Sequence, residues 1–351
     1  KLESSTVALD RFSADNSLSF ISAQLDETKR IVTLVTATDL ADNSLYTITA
    51  DNITDCTGNL IQANGKSATL IIPAKAEPLD IIVNEVLFNP VTGGHRFVEF
   101  YNRSNKYINL RGWKIAGLTN TRVITDKDLF IHPGSYFVVT SNGANIKSQY
   151  PSADESTFIE ISSMPSLPTN EGTVFIYNLN NLQIDHFAYS EDYHSPLLDD
   201  VDGVSLERIL FSGGSNDKNN WFSASSTENY ATPGYENSQA RTPQNQIGAV
   251  RVDPPTFAPD VAGAKNFTTL NYAFDTPGNT LNIRIIDAEG RIVKRLTQNT
   301  IVGKEGFFTW DGTTEDGGKA RVGYYMVLME VISAEGKISY IRDKVAIGSR
   351  L

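Results

Sequence analysis

Three glutamates interrupt apolar stretches of the sequence, and their type and position make them the first candidates for chemistry. Glu85, Glu99 and Glu207 each stand in a segment rich in Val, Ile, Leu or Phe. Carboxylates in such segments are rarely buried unless they are paired, and no histidine, lysine or nucleophile stands at a matching spacing. We therefore predict a structural ion-pair network and no catalytic pair. The candidate partners for bidentate contacts are Arg96, Arg111 and Arg208.

A run of aspartates around residue 200 is the candidate metal site. Calcium takes several oxygen ligands from one loop, and Asp199, Asp200 and Asp202 supply carboxylates there. The calcium-loop pattern fails at its first position, Leu198, and at its last, Ile209. An acidic turn before a strand is the simpler interpretation, and a calcium site is the alternative.

The other reactive residue types form no recognisable group. The four histidines show no paired ligand spacing, and the single cysteine, Cys56, excludes an internal disulfide and a cysteine-based zinc site. The sequence has no nucleophile elbow, no phosphate-binding loop and no His-Glu-x-x-His motif. We predict no catalytic residue and no cofactor.

Aromatic side chains between residues 160 and 200 provide a candidate binding surface. Tyr189 and Tyr193 lie in a region longer than a minimal sandwich needs, and long loops often carry function. If both rings are exposed, they suit a protein or glycan partner. The alternative is that these loops pack onto the domain.

The composition excludes several classes of protein. The net charge of −11 and the pI of about 4.9 argue against a nucleic-acid partner, which requires a basic surface. The longest apolar run, 324–329, has six residues, whereas a membrane-spanning helix needs about 20. We predict neither a nucleic-acid partner nor a transmembrane segment.

Short alternating stretches recur along the chain and predict strands. Residues 281–285 alternate apolar and polar types, and residues 31–35 and 324–331 are rich in β-branched and aromatic types. Turn signals separate such runs at a spacing of roughly 8–12 residues, which is typical of β-sandwiches. The sequence predicts an all-β fold of three tandem Ig-like β-sandwich domains.

Two proline-bounded stretches, 73–78 and 234–259, suggest where these domains divide. The acidity is concentrated between them, because residues 78–240 carry a net charge of −9 from 10 basic and 19 acidic residues. This charge is typical of a solvated surface, and cation uptake is the alternative. The predicted boundaries are domains at 1–76, 79–238 and 250–351, with a linker at 239–249.

A spaced pattern near the end of the first domain consists of Tyr46, Ile53, Asp55, Gly58 and Asn59. It resembles the end of bacterial Ig-like domains. The resemblance implies a structural spacer. Because the opening strand of that family is not evident, we expect this domain to be truncated.

The middle domain carries the most specific pattern. Its segments are 82–90, 96–102, 108–115, 132–139, 202–208, 220–221 and 231–237. In this order they resemble the lamin-tail domain of bacterial secreted proteins. The resemblance implies an Ig-like β-sandwich, and the three glutamates lie in its motifs. We assign structural roles to Trp113, Trp221 and Arg208 as well.

The last domain has a pattern of its own in residues 267–272, 281–296, 310–312 and 317–325. It resembles the Ig-like domain of flagellar hook-capping proteins and is close to the sorting domains of Bacteroidetes cell-surface and gliding proteins. We expect Trp310 to anchor the sandwich and Asp311 to form the following turn. The sorting-domain resemblance implies export through the type IX route, followed by attachment to the cell surface or release.

These patterns predict a non-catalytic scaffold or adhesion protein, secreted or on the outer cell surface, that binds a protein or glycan as a monomer. Because the chain begins at Lys1 without a leader, we expect it to be the C-terminal part of a longer protein. Two alternatives stay open. The first is that the chain is an accessory region of a secreted metal-dependent nuclease or phosphatase. The second is that it is a glycan-binding module.

Overall fold

The computed structural model describes residues 1–196, 198, 200–240, 250–259, 266–275, 278–333 and 336–348. Regular structure in these residues is almost entirely β-strand, which confirms the predicted all-β class. None of the helices in this part of the chain has the length and apolar character needed to cross a membrane.

The strands fall into three groups along the chain. The first group is β1 (Phe12–Ala14), β2 (Phe20–Leu25), β3 (Val32–Thr36), β4 (Ser44–Ala50) and β5 (Ser67–Ile72). The second is β6 (Ile81–Leu87), β7 (Phe97–Asn102), β8 (Ile108–Asn109), β9 (Lys114–Ala116), β10 (Thr121–Val123), β11 (Phe130–Ile131), β12 (Tyr136–Thr140), β13 (Phe158–Glu160), β14 (Glu171–Tyr177), β15 (Gln183–Ser190), β16 (Leu206–Arg208) and β17 (Trp221–Ser223). The third is β18 (Val250–Asp253), β19 (Thr256–Phe257), β20 (Thr268–Ala273), β21 (Asn279–Ile286), β22 (Ile292–Val302), β23 (Glu305–Trp310), β24 (Gly323–Ile332) and β25 (Ile338–Ile347).

Helices are few and short. The α-helix α1 (Gly143–Gln149) begins where the Asn142 side chain accepts a hydrogen bond from the Asn145 backbone N–H at 3.0 Å. The 3₁₀ helices are Ser4–Thr6, Leu9–Arg11, Ala63–Gly65, Glu155–Thr157, Glu191–Tyr193, Lys218–Asn220 and Ser226–Glu228.

Within the described strands, sheets form only inside each of the three groups. The sheet orders are β1-β4-β5 and β2-β3 in the first group; β13-β12-β7-β6-β16-β17, β10-β9-β14-β15 and β11-β8 in the second; and β18-β20-β23 and β19-β25-β24-β21-β22 in the third. This pairing is consistent with three β domains, although the predicted boundaries themselves stay predictions.

By contacts, the chain divides into two compact units. The first unit is residues 1–80, 102–111 and 127–135. Its buried side chains include Tyr46 and Ile53, as their alternation with polar residues predicts.

The second unit is residues 81–101, 112–126 and 136–351. In its lamin-tail-like part every residue of β6 is buried, and Trp113 is only 3% exposed. The ring of Phe187 stacks on Trp221 with the two centroids 3.6 Å apart. Burial of large aromatic rings contributes most of the apolar stabilisation in such a core.

Trp310 organises the third group of strands. Its ring is fully buried and meets Phe257 edge to face at 5.4 Å between centroids. Its Nε1 donates to the Thr313 carbonyl at 2.9 Å, and Asp311 Oδ1 accepts from the Thr313 N–H at 3.0 Å. Trp310 and Asp311 therefore lie where the sequence pattern places a core anchor and a turn.

An apolar patch joins the second and third groups of strands inside the second unit. It consists of Ile209, Leu210, Phe222, Phe267 and Phe307. The rings of Phe222 and Phe267 are 4.5 Å apart, and Thr309 Oγ1 donates to the Asn219 carbonyl at 3.2 Å. Because the patch is buried, these two β regions pack as one body.

Candidate functional site

The three conspicuous glutamates meet in the core of the second unit. Glu99, Glu85 and Glu207 lie on β7, β6 and β16, which are adjacent strands of the six-stranded sheet, and all three are fully buried. Glu85 and Glu207 are direct cross-strand partners. The structure therefore brings the glutamates together, but in a closed interior and not at a solvent-open cleft.

Residues 231–239, which we name the closing segment, supply most of the hydrogen bonds to these acids. Thr232 N donates to Glu85 Oε1 at 2.9 Å, and Gly234 N donates to Glu99 Oε2 at 2.6 Å. Gln239 N and Ser238 Oγ donate to Glu207 Oε2 at 2.9 and 2.7 Å. The carboxylates therefore hold the closing segment against three inner strands of the sheet.

One hydroxyl group, that of Thr232, lies between two of the acids. Thr232 Oγ1 lies 3.2 Å from Glu85 Oε2 and 2.8 Å from Glu207 Oε1. A threonine hydroxyl carries a single proton and can donate to only one of these oxygens. The remaining glutamate can still form a hydrogen bond here if its own carboxyl is protonated and donates to Thr232 Oγ1.

The environment favours that protonated form. Burial, and then the nearby charge of Glu207, raise the pKa of Glu85 to about 8. Burial followed by the charge of Glu85 raises the pKa of Glu99 well above its ordinary value, and burial also raises the pKa of Glu207. The cluster is thus adapted to hold protons at neutral pH.

The arginines expected beside these acids have other partners. Arg96 Nε donates to the Phe88 carbonyl at 2.8 Å, and the Arg111 side chain is exposed, 3.6 Å from an Asp128 oxygen. Hydroxyl, amide and backbone N–H donors surround the carboxylates, and most of these donors belong to the closing segment. The structural role of the three glutamates stays a prediction, but the expected arginine ion pairs are wrong, because the donors found at these carboxylates in the described residues are uncharged.

Arg208 has a structural role of its own in the same sheet. Its guanidinium is fully buried, with NH2 lying 3.5 Å from Asp185 Oδ2. Nε and NH1 donate to the carbonyls of Val83 and Gly213 at 2.7 and 2.9 Å. Its Cζ lies 4.9 Å from the centroid of the Trp221 ring. The sequence singles out both Arg208 and Trp221, but not their contact or the role of Asp185.

The acidic loop shows a local network of hydrogen bonds. Asp200 Oδ1 accepts from the Asp202 N–H at 3.0 Å, and Asp202 Oδ1 accepts from Asn89 Nδ2 at 2.7 Å. Asp199 lies outside the described residues. Among the residues that the structure does describe, no group of three or more His, Cys, Asp or Glu side chains is arranged to hold a metal ion.

The predicted aromatic surface is wrong for Tyr189 and stays a prediction for Tyr193. Tyr189 is only 2% exposed, stacks on Phe88 at 4.4 Å between centroids, and donates its hydroxyl to the Pro168 carbonyl at 2.9 Å. Strand alternation explains this, because Phe187 and Tyr189 share the inward face of β15. Tyr193 lies in a 3₁₀ helix and is partly exposed.

Comparison with known proteins gives the central domain its family. Residues 74–191 match the family model described as Lamin Tail Domain. The chain contains a lamin tail domain. A second match, to the FlgD Ig-like domain, covers residues 258–335, so the order of the two domains is the predicted one.

The lamin tail domain extends past the matched region in the structure. β16, β17 and the closing segment follow residue 191, yet they belong to its six-stranded sheet or bond to it. Gln239 opens the predicted linker, but it is fully buried, and its Nε2 donates to the Ser223 carbonyl at 2.9 Å. Residues 241–249 lie outside the described part of the chain.

Three solved structures illustrate the weaker similarities. CopC from Methylosinus trichosporium OB3b is 19% identical with a TM-score of 0.21, and the match covers 29% of this chain and 93% of CopC. Latent PorU from Porphyromonas gingivalis is 12% identical with a TM-score of 0.24, covering 97% of this chain and 29% of PorU. A DUF4876 family protein from Bacteroides thetaiotaomicron is 13% identical with a TM-score of 0.23, covering 89% and 93%. No curated protein matches the chain. These scores carry no inference about function.

Proposed function

We propose that this chain is a non-catalytic scaffold of a secreted or outer-cell-surface protein. Its FlgD Ig-like domain serves export or surface attachment, and the chain presents a binding surface outside the cell. The chain works as a monomer, and its partner is a protein or glycan at the cell surface.

The observation that carries the proposal is the use of the three glutamates. They are the side chains with the clearest potential for catalysis, and the closing segment engages oxygens of all three inside the core. A general acid or base must reach a substrate proton within hydrogen-bond distance. Carboxylates buried in this way support the architecture.

The packing of the last two domains also supports a scaffold. The patch around Phe222 and Phe267 buries aromatic side chains from the lamin tail domain and the FlgD Ig-like domain. A spacer that transmits position must resist bending between its domains, and buried apolar area at a domain contact provides that resistance.

Protease treatment of intact cells tests the proposed location. In the organism that encodes the chain, we expect proteinase K added to whole cells to degrade the protein, or the protein to appear in the medium, because a surface scaffold is accessible from outside. Immunoblotting measures the loss, and a cytoplasmic enzyme that survives the same treatment is the control. A chain that stays intact until the cells are lysed contradicts the proposal.

The metal-dependent alternative predicts a different result in a thermal-shift titration. For a scaffold we expect calcium or manganese to leave the midpoint of the full chain unchanged, because a cation stabilises only a folded state that binds it. The hydrolase alternative predicts a rise of several degrees. Asp200→Ala and Asp202→Ala are the matched variants, and a rise that both abolish favours that alternative.

A further inference from the structure

A cleft with both polar and apolar walls opens beside the apolar patch, between the lamin tail domain and the FlgD Ig-like domain within the second unit. Its volume is about 590 Å³, within the usual range for small-ligand sites, and its walls come from both domains. Tyr193 and Lys218 line it on the lamin tail side, and Lys294 and Thr309 line it on the other.

The charges around the cleft balance. Its lining includes the bases Lys218, Lys294 and Arg295 and the acids Glu191, Asp192 and Asp311. A strongly anionic or cationic ligand would meet like charge on part of this wall, whereas a neutral ligand with many hydroxyls can accept from the bases and donate to the acids. Charge balance therefore favours a neutral polyhydroxylated ligand.

The polar side chains are held in place for such a role. Lys294 Nζ donates to the Thr314 carbonyl at 3.0 Å and lies 3.3 Å from Thr313 Oγ1, which fixes the amine. Lys218 Nζ lies 6.0 Å from the centroid of the Tyr193 ring. An aromatic ring beside hydrogen-bonding groups offers an apolar face together with polar partners.

His194 adds an unsatisfied polar atom to the wall. It lines the cleft and is 6% exposed, and its buried Nε2 has no hydrogen-bond partner among the residues that the structure describes. Its Nδ1 lies 2.9 Å from Ser223 Oγ, which accepts from the Ser195 N–H and is free to donate to the ring. Because burial lowers the pKa of His194 to about 4, the ring is neutral at pH 7, and Nε2 is a donor or an acceptor according to the tautomer. Buried polar atoms normally have a hydrogen-bond partner, and a ligand hydroxyl, which both donates and accepts, suits either tautomer.

We propose that this cleft binds a neutral glycan, with a sugar ring against Tyr193 and its hydroxyls paired with Lys218, Lys294 and Asp192. The inference rests on the proposed surface function and names the ligand of that scaffold. The sequence-based glycan hypothesis relied on Tyr189 and Tyr193 together. In the structure Tyr189 is buried, and residues of the FlgD Ig-like domain form the other wall of the cleft beside Tyr193.

A glycan array followed by calorimetry tests the proposal on the full chain. The probes are immobilised neutral and acidic oligosaccharides, and we expect the retained ones to be neutral. For a retained oligosaccharide, we expect Tyr193→Ala and Lys294→Ala each to raise the Kd at least tenfold, because they remove one contact from each wall. Tyr324→Ala is the matched control, since Tyr324 is 79% exposed on β24 and does not line the cleft.

The outcomes separate the ligand from the proposed function. Retention of no glycan, a preference for acidic glycans, or a Kd that neither cleft variant changes overturns the proposal. Unaltered thermal midpoints of the variants exclude misfolding as the cause of lost binding. A chain that protease treatment places inside the cell contradicts the surface scaffold, whereas the calorimetric result stands whichever location is found.

Discussion

Glu85→Gln is expected to stabilise the lamin tail domain above pH 8 and to change its stability little near pH 5. Glutamine keeps Oε1 as the acceptor for Thr232 N and for the hydroxyl of Ser205. Its Nε2 can donate to Thr232 Oγ1, which leaves the threonine proton for Glu207. The variant therefore reproduces the protonated form of Glu85 without a titratable group.

The sign of the pH effect follows from linkage. The pKa of Glu85 is raised to about 8 in the folded chain, above its ordinary value of 4.5, so the folded state holds a proton that the unfolded state releases between these values. The stabilisation is fully present below the ordinary pKa and is lost as the pH rises through about 8. A tenfold change in a proton-binding constant corresponds to about 1.4 kcal/mol, and we expect Glu85→Gln to gain at least roughly 2 kcal/mol at pH 9.

Denaturant titrations at pH 5, 7 and 9 measure this effect as the free energy of unfolding. Glu171→Gln is the control, because Glu171 is an exposed glutamate of the same domain and its charge is solvated. A wild-type free energy that does not fall between pH 5 and pH 9 would contradict the protonated cluster, and so would a Glu85→Gln variant that is weaker at every pH.

Arg208→Met is expected to destabilise the same domain by about 3–5 kcal/mol. The variant leaves Asp185 buried without its cation and leaves the carbonyls of Val83 and Gly213 without the guanidinium donors. Arg208→Lys should lose nearly as much, because a single ammonium cannot place donors at these separate positions.

A double-mutant cycle identifies the cause of this loss. Adding Asp185→Asn to Arg208→Met removes the uncompensated charge and should restore part of the stability, while Asn can still accept from the Val83 N–H. Arg111→Met is the control, because that ion pair is exposed and worth about 0–1 kcal/mol. Equal losses for Arg208→Met and Arg111→Met would show that the buried arginine is dispensable.

The all-β class and the order of the domains could be read from local patterns. Period-two alternation in 281–285 and turn residues such as Gly58 depend on backbone geometry that neighbouring residues determine. The motifs that carry Glu85 and Trp113 likewise fall within the lamin tail match. Local patterns of this kind predict strands, turns and domain order without knowledge of the tertiary contacts.

The partners of the buried groups could not be read in this way. Thr232 and Glu85 are 147 positions apart, and the motif around residue 232 gave no sign that its backbone N–H groups donate to two buried carboxylates. The sequence favoured arginines as partners of the three glutamates, because opposite charges can be recognised in a sequence. The position of the closing segment against the sheet cannot be recognised in that way. Asp185 was missed because its partner Arg208 also lies far from it in the sequence.

The sequence could not tell which of two neighbouring tyrosines is buried. Tyr189 and Tyr193 are four positions apart, yet one is in the core and the other lines a cleft, because the strand ends at Ser190 between them. Residue types and alternation determined on their own that this chain is a series of β domains with acids in apolar strands. Only the tertiary structure decided which of those acids meet at the Thr232 hydroxyl and which aromatic ring meets solvent, because both depend on segments that are distant in sequence.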